Sequence, residues 1–105
     1  GDMPLADWRE LARDAALVVD VREPAEFAAG HVPGARNLPL SQLRQRFGEL
    51  PLDRPIAVYC QVGQRGYYAV RFLLQHGVRA ANLSGGFTTY QALRDGGVIA
   101  ARDPG

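Results

Sequence analysis

Residues 56–66 read IAVYCQVGQRG, an apolar run that ends in a cysteine and continues into a glycine-containing loop. The run is β-branched, aromatic or small in its side chains and carries no charge, which is typical of a strand buried on both faces. A helical pattern follows from residue 65 to His76, and Gly77 ends it. The stretch therefore predicts a strand, a tight loop and a helix, with Cys60 at the carboxyl end of the strand.

Strand and helix patterns alternate on both sides of this stretch. Residues 17–21 form an apolar run with one acid, Asp20, and predict a second buried strand. Pro24 stands at the first position of a short helix, and Ser41 is suited to cap a helix that extends to Leu50. Strands separated by helices predict an α/β fold with a parallel sheet and helices on both faces.

The length of 105 residues fits one domain. Asp7, followed by Glu10, resembles a helix capping box, which predicts a helix near the N-terminus. We expect a core at about residues 17–93, a helical N-terminal region at residues 1–16 and a tail at residues 97–105.

The composition restricts the chemistry of the chain. All 12 basic residues are arginine, which excludes a Schiff-base lysine and a Walker A loop. One cysteine excludes an internal disulfide, and the distant His31 and His76 do not make a metal motif. We therefore expect no metal and no resident cofactor. A net charge of +1 with mixed signs predicts no nucleic-acid surface, and the short apolar runs predict no membrane span. The lone cysteine and the absence of a secretory signal favour the cytoplasm.

The sites of a parallel sheet lie at the carboxyl ends of its strands, which singles out Cys60. Gly63 and Gly66 allow a sharp turn there, and the amides of such a loop join the positive end of the following helix to favour an anion. The thiolate is the charged form of cysteine, so we expect Cys60 to be a nucleophile without a histidine base. Arg65 adds a permanent positive charge. The alternative is that Cys60 is a small buried apolar side chain.

Four motifs in register resemble the rhodanese family: DVRE at residues 20–23, GHVPGA at 30–35, CQVGQR at 60–65 and LSGG at 83–86. The resemblance covers about residues 17–93. It implies a five-stranded parallel sheet flanked by helices and a sulfurtransferase that carries sulfane sulfur as a persulfide on Cys60, with no other cofactor.

The side chains around Cys60 also have expected roles. The loop is expected to bind the substrate or persulfide, chiefly through its backbone amides: Gln61, Val62, Gly63, Gln64, Arg65 and Gly66. The resemblance implies that Asp20 and Arg22 brace the loops around the site, with a local ion pair, or a substrate contact of Arg22, as alternatives. His31 is expected to hold its turn by a local hydrogen bond, with a catalytic base as the alternative. Tyr67 and Tyr68 are expected in the core, with the wall of the pocket as the alternative.

The resemblance also implies the partners. A small-molecule donor gives its outer sulfur to Cys60, and an external thiol or cyanide removes it. Many thiosulfate-using relatives have a cation directly after the cysteine, where this chain has Gln61, so persulfides or polysulfide are the favoured donors. Residues 60–67 and 82–90 look like the C-terminal rhodanese domain of FAD-dependent CoA-disulfide reductases, which implies a fused or separate reductase partner.

Two other functions remain open. The chain could be a non-catalytic rhodanese-like module that binds or regulates a partner, although an intact cysteine loop argues against this. It could also carry phosphatase or arsenate-reductase chemistry on the same scaffold. Four residues separate Cys60 from Arg65, whereas the related phosphatases have five, and the shorter ring of amides suits a sulfur atom better than a phosphoryl group.

Overall fold

A computed structural model describes residues 4–10 and 16–99. The strands form one parallel sheet in the order β1-β5-β4-β2-β3. In chain order the elements are β1 (Leu5–Ala6), β2 (Leu17–Asp20), α1 (Pro24–Ala29), β3 (Arg36–Asn37), α2 (Leu43–Arg46), β4 (Ile56–Tyr59), α3 (Gln64–Gln75), β5 (Ala80–Leu83) and α4 (Gly86–Asp95). The predicted five-stranded α/β fold is confirmed.

Successive side chains of the interior strands β2 and β4 point to opposite sides of the sheet, and a core cluster covers each side. Val19, Val58 and Cys60 pack in a core cluster with α2 and α3. Val18 and Tyr59 pack in a second cluster on the other face, with α4. The continuous apolar runs of the sequence thus supply two cores, and Cys60 lies on the face that α3 covers.

The N-terminus differs from the predicted helical region at residues 1–16. Leu5–Ala6 is a strand that pairs with β5, and residues 8–10 form a turn. Trp8 is buried, and its indole nitrogen donates to the carbonyl of Ser84 at 3.1 Å, which fixes the segment on the sheet edge. A strand of two residues is too short for periodicity to reveal. Residues 1–3, 11–15 and 100–105, which include parts of the predicted N-terminal helix and tail, lie outside the described residues.

The predicted helix from Ser41 to Leu50 is also different. Only Leu43–Arg46 is α-helical, and single 3₁₀ turns flank it at Leu40–Gln42 and Phe47–Glu49. The Ser41 hydroxyl does not cap the helix but donates to the Glu23 carboxylate at 3.1 Å. None of the helices that the structure describes combines the length and the hydropathy of a membrane-spanning segment.

Candidate active site at the cysteine loop

Cys60 follows β4 directly, and its side chain is only 1% exposed. Two backbone amides donate to its Sγ: that of Gly63 at 3.1 Å and that of Gly66 at 3.2 Å. Gly63 caps α3 and Gly66 is its third residue, so the sulfur lies against the first turn of this helix. The amides of the first turn have no carbonyl acceptor within a helix. The positive end of α3 therefore faces the sulfur and stabilises negative charge there.

Both glycines are required by the loop geometry. Gly63 has a φ of 112°, a conformation that side chains with a Cβ rarely adopt. Gly66 has a helical backbone, but a Cβ there would lie 2.1 Å from Oδ1 of Asn82. Asn82 stands on β5, and its Nδ2 donates to the Gly63 carbonyl at 2.9 Å. Asn82 was not among the predicted site residues. The one feature of the sequence that could have indicated its role is a polar amide side chain within the otherwise apolar strand β5.

The first turn of α4 holds the carbonyl side of the cysteine loop. The amide of Phe87 donates to the carbonyl of Cys60 at 2.8 Å, and that of Thr88 donates to the carbonyl of Gln61 at 3.1 Å. A Cβ on Gly86 would lie 2.5 Å from the Cys60 carbonyl oxygen, which explains the second glycine of the LSGG motif. Because α4 binds these carbonyls, the loop turns amides rather than carbonyl oxygens toward the sulfur.

Asp20 and Arg22 form a buried ion pair beside the loop. Their side chains are 0% and 3% exposed, and Nη2 of Arg22 lies 2.8 Å from Oδ2 of Asp20. The guanidinium also donates to the carbonyl of Gly30 at 2.7 Å and to Oε1 of Gln61 at 3.1 Å. Burial opposes its charge, but the hydrogen bonds and charge of Asp20 raise the pKa of Arg22 above its ordinary value. Arg22 thus connects β2, the turn after α1 and the cysteine loop, and holds these three segments together.

Gln61 completes this brace. Its Oε1 accepts from Arg22 and its Nε2 donates to the Thr88 hydroxyl at 3.0 Å. Both ends of the amide are engaged, so the side chain ties α4 to the ion pair. Of the remaining predicted loop residues, Val62 is 64% exposed and Gln64 is also exposed.

Arg65 is not an isolated cation. Its Nη1 and Nη2 donate to the two carboxylate oxygens of Glu26 at 2.6 and 2.9 Å. The Arg65 hydrogen bonds lower the pKa of Glu26 to about 2. Burial opposes this shift, and a hydrogen bond from the Glu23 backbone amide adds to it. Glu26 was not among the predicted site residues. A salt bridge across 39 residues leaves no local signal in the sequence.

The aromatic and histidine side chains near the loop have separate positions. Nδ1 of His31 lies 2.8 Å from the carbonyl of Phe27, and the two rings stack with centroids 3.6 Å apart, as expected of a side chain that holds its turn. Tyr67 and Tyr68 are 41% and 51% exposed, so the prediction that they lie in the core is wrong. They project from the solvent side of α3. No group of side chains suited to hold a metal ion occurs among the described residues.

This fold and loop can be compared with known proteins. The sequence model of the rhodanese-like domain matches residues 6–93. The chain belongs to this family. In the rhodanese-like domain described here, the matched segment includes the whole sheet except Leu5 at its edge.

The similar sequences include named sulfurtransferases. The domain is 43% identical to a sulfurtransferase of Allochromatium vinosum, covering 82% of this chain and 77% of the relative. It is 35% identical to the thiosulfate sulfurtransferase GlpE of Ectopseudomonas mendocina, covering 80% and 78%. It is also 46% identical to YqhL of Bacillus subtilis, an uncharacterised protein, covering 83% of this chain and 66% of that protein.

Two similar solved structures belong to larger reductases. The reduced CoADR-RHD of Bacillus anthracis superposes with a TM-score of 0.83 at 37% identity, covering 90% of this chain and 17% of that one. An NAD-dependent persulfide reductase from A. fulgidus superposes with a TM-score of 0.70 at 28% identity, covering 84% and 16%. The rhodanese-like domain thus spans only a small part of either reductase.

Proposed function

We propose that this rhodanese-like domain is a sulfurtransferase that carries sulfane sulfur as a persulfide on Cys60. The observation that carries the proposal is the pair of amides, from Gly63 and Gly66, that donate to the buried Sγ at the start of α3. These donors stabilise negative charge on the reacting sulfur, and we expect the amides of the same loop to bind the terminal sulfur anion after transfer. The named sulfurtransferases among its relatives support the same activity.

The reaction has two half-reactions, as covalent catalysis by a single nucleophile requires. With a hydropersulfide donor RS–SH, the Cys60 thiolate attacks the outer sulfur, a new S–S bond forms on Cys60, and RS⁻ leaves with the electron pair of the broken S–S bond. With thiosulfate the leaving group is sulfite. In the second half-reaction an external thiolate or cyanide attacks the terminal sulfur, and the Cys60 thiolate leaves. Neither half-reaction needs an added oxidant or reductant.

The acceptor must come from outside this domain. Cys60 is the only cysteine among the 105 residues, so no second thiol of this domain can displace the sulfur. We propose a low-molecular-weight persulfide or polysulfide as the donor and a small thiol as the acceptor. A fused or separate disulfide reductase is the proposed protein partner, and the structural neighbours that are reductases support it.

Intact-mass measurement tests the proposal directly. The protein is incubated with glutathione persulfide, polysulfide or thiosulfate and weighed without reduction. We expect a gain of one sulfur atom, about 32 Da, that cyanide removes with release of thiocyanate. Cys60→Ser, checked for folding by its urea midpoint, is expected to gain no cyanide-removable sulfur.

The alternatives give different results in the same experiment. If no donor adds sulfur to the folded protein, the proposal fails in favour of a non-catalytic binding module. If the protein instead hydrolyses an aryl phosphate and Cys60→Ser does not, the loop performs phosphatase chemistry.

A further inference from the structure

The two arginines nearest the cysteine loop are each paired with a carboxylate. Arg22 is bound by Asp20 at 2.8 Å, and Arg65 is bound by Glu26 at 2.6 and 2.9 Å. The formal charges of these four side chains therefore sum to zero. The positive potential at the sulfur then comes from backbone amides and the N-terminal end of α3 rather than from a side-chain cation.

The two pairs differ in their access to solvent. The Asp20–Arg22 pair is almost fully buried and holds loops together, whereas Arg65 and Glu26 are 35% and 36% exposed. Arg65 is adjacent to Gly66, whose amide binds Sγ, and its charge interacts with Cys60. Of the two pairs, only Arg65–Glu26 is therefore accessible to an anionic donor in solvent.

Glu26 is held firmly against Arg65. It is the third residue of α1, and the amide of Glu23 donates to its Oε1 at 3.1 Å in a reciprocal capping arrangement. Both carboxylate oxygens accept from the Arg65 guanidinium, which is the bidentate geometry of a strong ion pair. The short helix α1 thus holds the Glu26 carboxylate against Arg65, the only cationic residue in the first turn of α3.

We infer that Glu26 determines donor specificity, acting through Arg65: by neutralising this cation it disfavours the dianion thiosulfate relative to donors with less charge at the reacting sulfur. The inference rests on the proposed sulfurtransferase function and deepens it. A dianion gains twice as much as a monoanion from the same positive potential, so one neutralised charge changes the preference between them. The residue directly after the cysteine is Gln61, and Glu26 lies 35 positions before it in the chain.

Glu26→Gln tests the inference because the amide oxygen can still accept from the Glu23 amide while the negative charge is lost. The measured quantity is the ratio of kcat/KM for thiosulfate to kcat/KM for glutathione persulfide. We expect this ratio to rise about three- to tenfold at low ionic strength, mainly through KM for thiosulfate, and the gain to shrink at about 0.5 M salt.

Two further variants separate charge from structural damage. Arg65→Gln leaves Glu26 unpaired, so the ratio is expected to fall, in the opposite direction to Glu26→Gln. A loosened loop would instead lower activity with both donors in both variants. Glu49→Gln is the matched control, since Glu49 pairs with Arg46 at 2.9 Å on an exposed surface and carries the same charge. It is expected to leave the ratio unchanged.

The outcomes distinguish the inference from the proposed function. If the unaltered protein forms no Cys60 persulfide with either donor, the sulfurtransferase proposal itself fails. If the persulfide forms but the ratio is the same in Glu26→Gln and Arg65→Gln, or moves in the same direction in both, the specificity role of Glu26 is overturned. An equal rise in Glu49→Gln would also overturn it, because the effect would then belong to the net charge.

Discussion

The substitution Gly66→Ala tests the packing that brings the helix amide to the sulfur. An ideal Cβ at Gly66 lies 2.1 Å from Oδ1 and 2.9 Å from Cγ of Asn82. Asn82 is only 5% exposed and is tied to the Gly63 carbonyl by its Nδ2, so its side chain has little room to withdraw. The new Cβ and Oδ1 must move apart by at least about 1.3 Å, from 2.1 to 3.4 Å, before they reach an ordinary contact.

The expected cost follows from these contacts. Overpacking in a filled interior costs about 1–3 kcal/mol, and loss of the Asn82–Gly63 hydrogen bond about 1 kcal/mol. Alanine favours the helix by about 1 kcal/mol over glycine at this helical position. We expect Gly66→Ala to lower the free energy of unfolding by about 2 kcal/mol, seen as a fall of about 1 M in the urea midpoint. Persulfide formation on Cys60 should also slow, because the Gly66 amide shifts.

Two controls make this prediction strict. Gly48→Ala is the matched substitution, since nothing lies within 4 Å of its ideal Cβ, and it should change stability by less than about 0.5 kcal/mol. Asn82→Ala removes the atoms that the new methyl group meets. In that background, Gly66→Ala should cost little or stabilise the protein. An equal cost in both backgrounds would refute the reasoning, because the destabilisation would then not come from Asn82.

Two predictions concern the ion pairs. Because the pKa of Glu26 is about 2 in the folded protein and 4.5 ordinarily, its pair with Arg65 stabilises the fold fully above about pH 4.5. The stability difference between the unaltered protein and Glu26→Gln, followed by thermal unfolding, should therefore vanish as the pH falls toward 2; a difference that persists there would contradict the assignment. Asp20→Asn leaves Arg22 buried without a counter-charge and should cost about 3–5 kcal/mol in urea unfolding. Asp7→Asn, which breaks the exposed Arg9 pair, should leave the urea midpoint nearly unchanged, and equal shifts for the two variants would contradict the role of burial.

The sequence alone placed most of the site because its signals are local. A charge-free run ending in Cys60, a glycine three residues later and a helical pattern predict a strand, a loop and a helix from neighbouring residues only. Both amides that bind the sulfur, those of Gly63 and Gly66, belong to this same segment. The strand at Leu5–Ala6 was missed because it exists only through its pairing with β5.

The charge pattern around the cysteine was not predictable in the same way. Arg65 was expected to add a permanent positive charge to the loop, and its pairing with Glu26, 39 residues away, was not predicted. The exposure of Tyr67 and Tyr68 was likewise set by which face of α3 the sheet covers. In each case the deciding contact joins segments that have no fixed spacing in the chain.

The order of the residues by itself determined that this chain forms a parallel α/β sheet with a lone thiol at the end of a central strand, since hydrophobic pattern and turn-forming glycines act over a few positions. Only the tertiary structure decided which partners surround that thiol. The strand order brings the carboxyl ends of β2, β4 and β5 together, so that Arg22, Asn82 and the start of α4 meet at the cysteine loop. Such contacts depend on distance in space, and a pattern along the chain does not encode that distance.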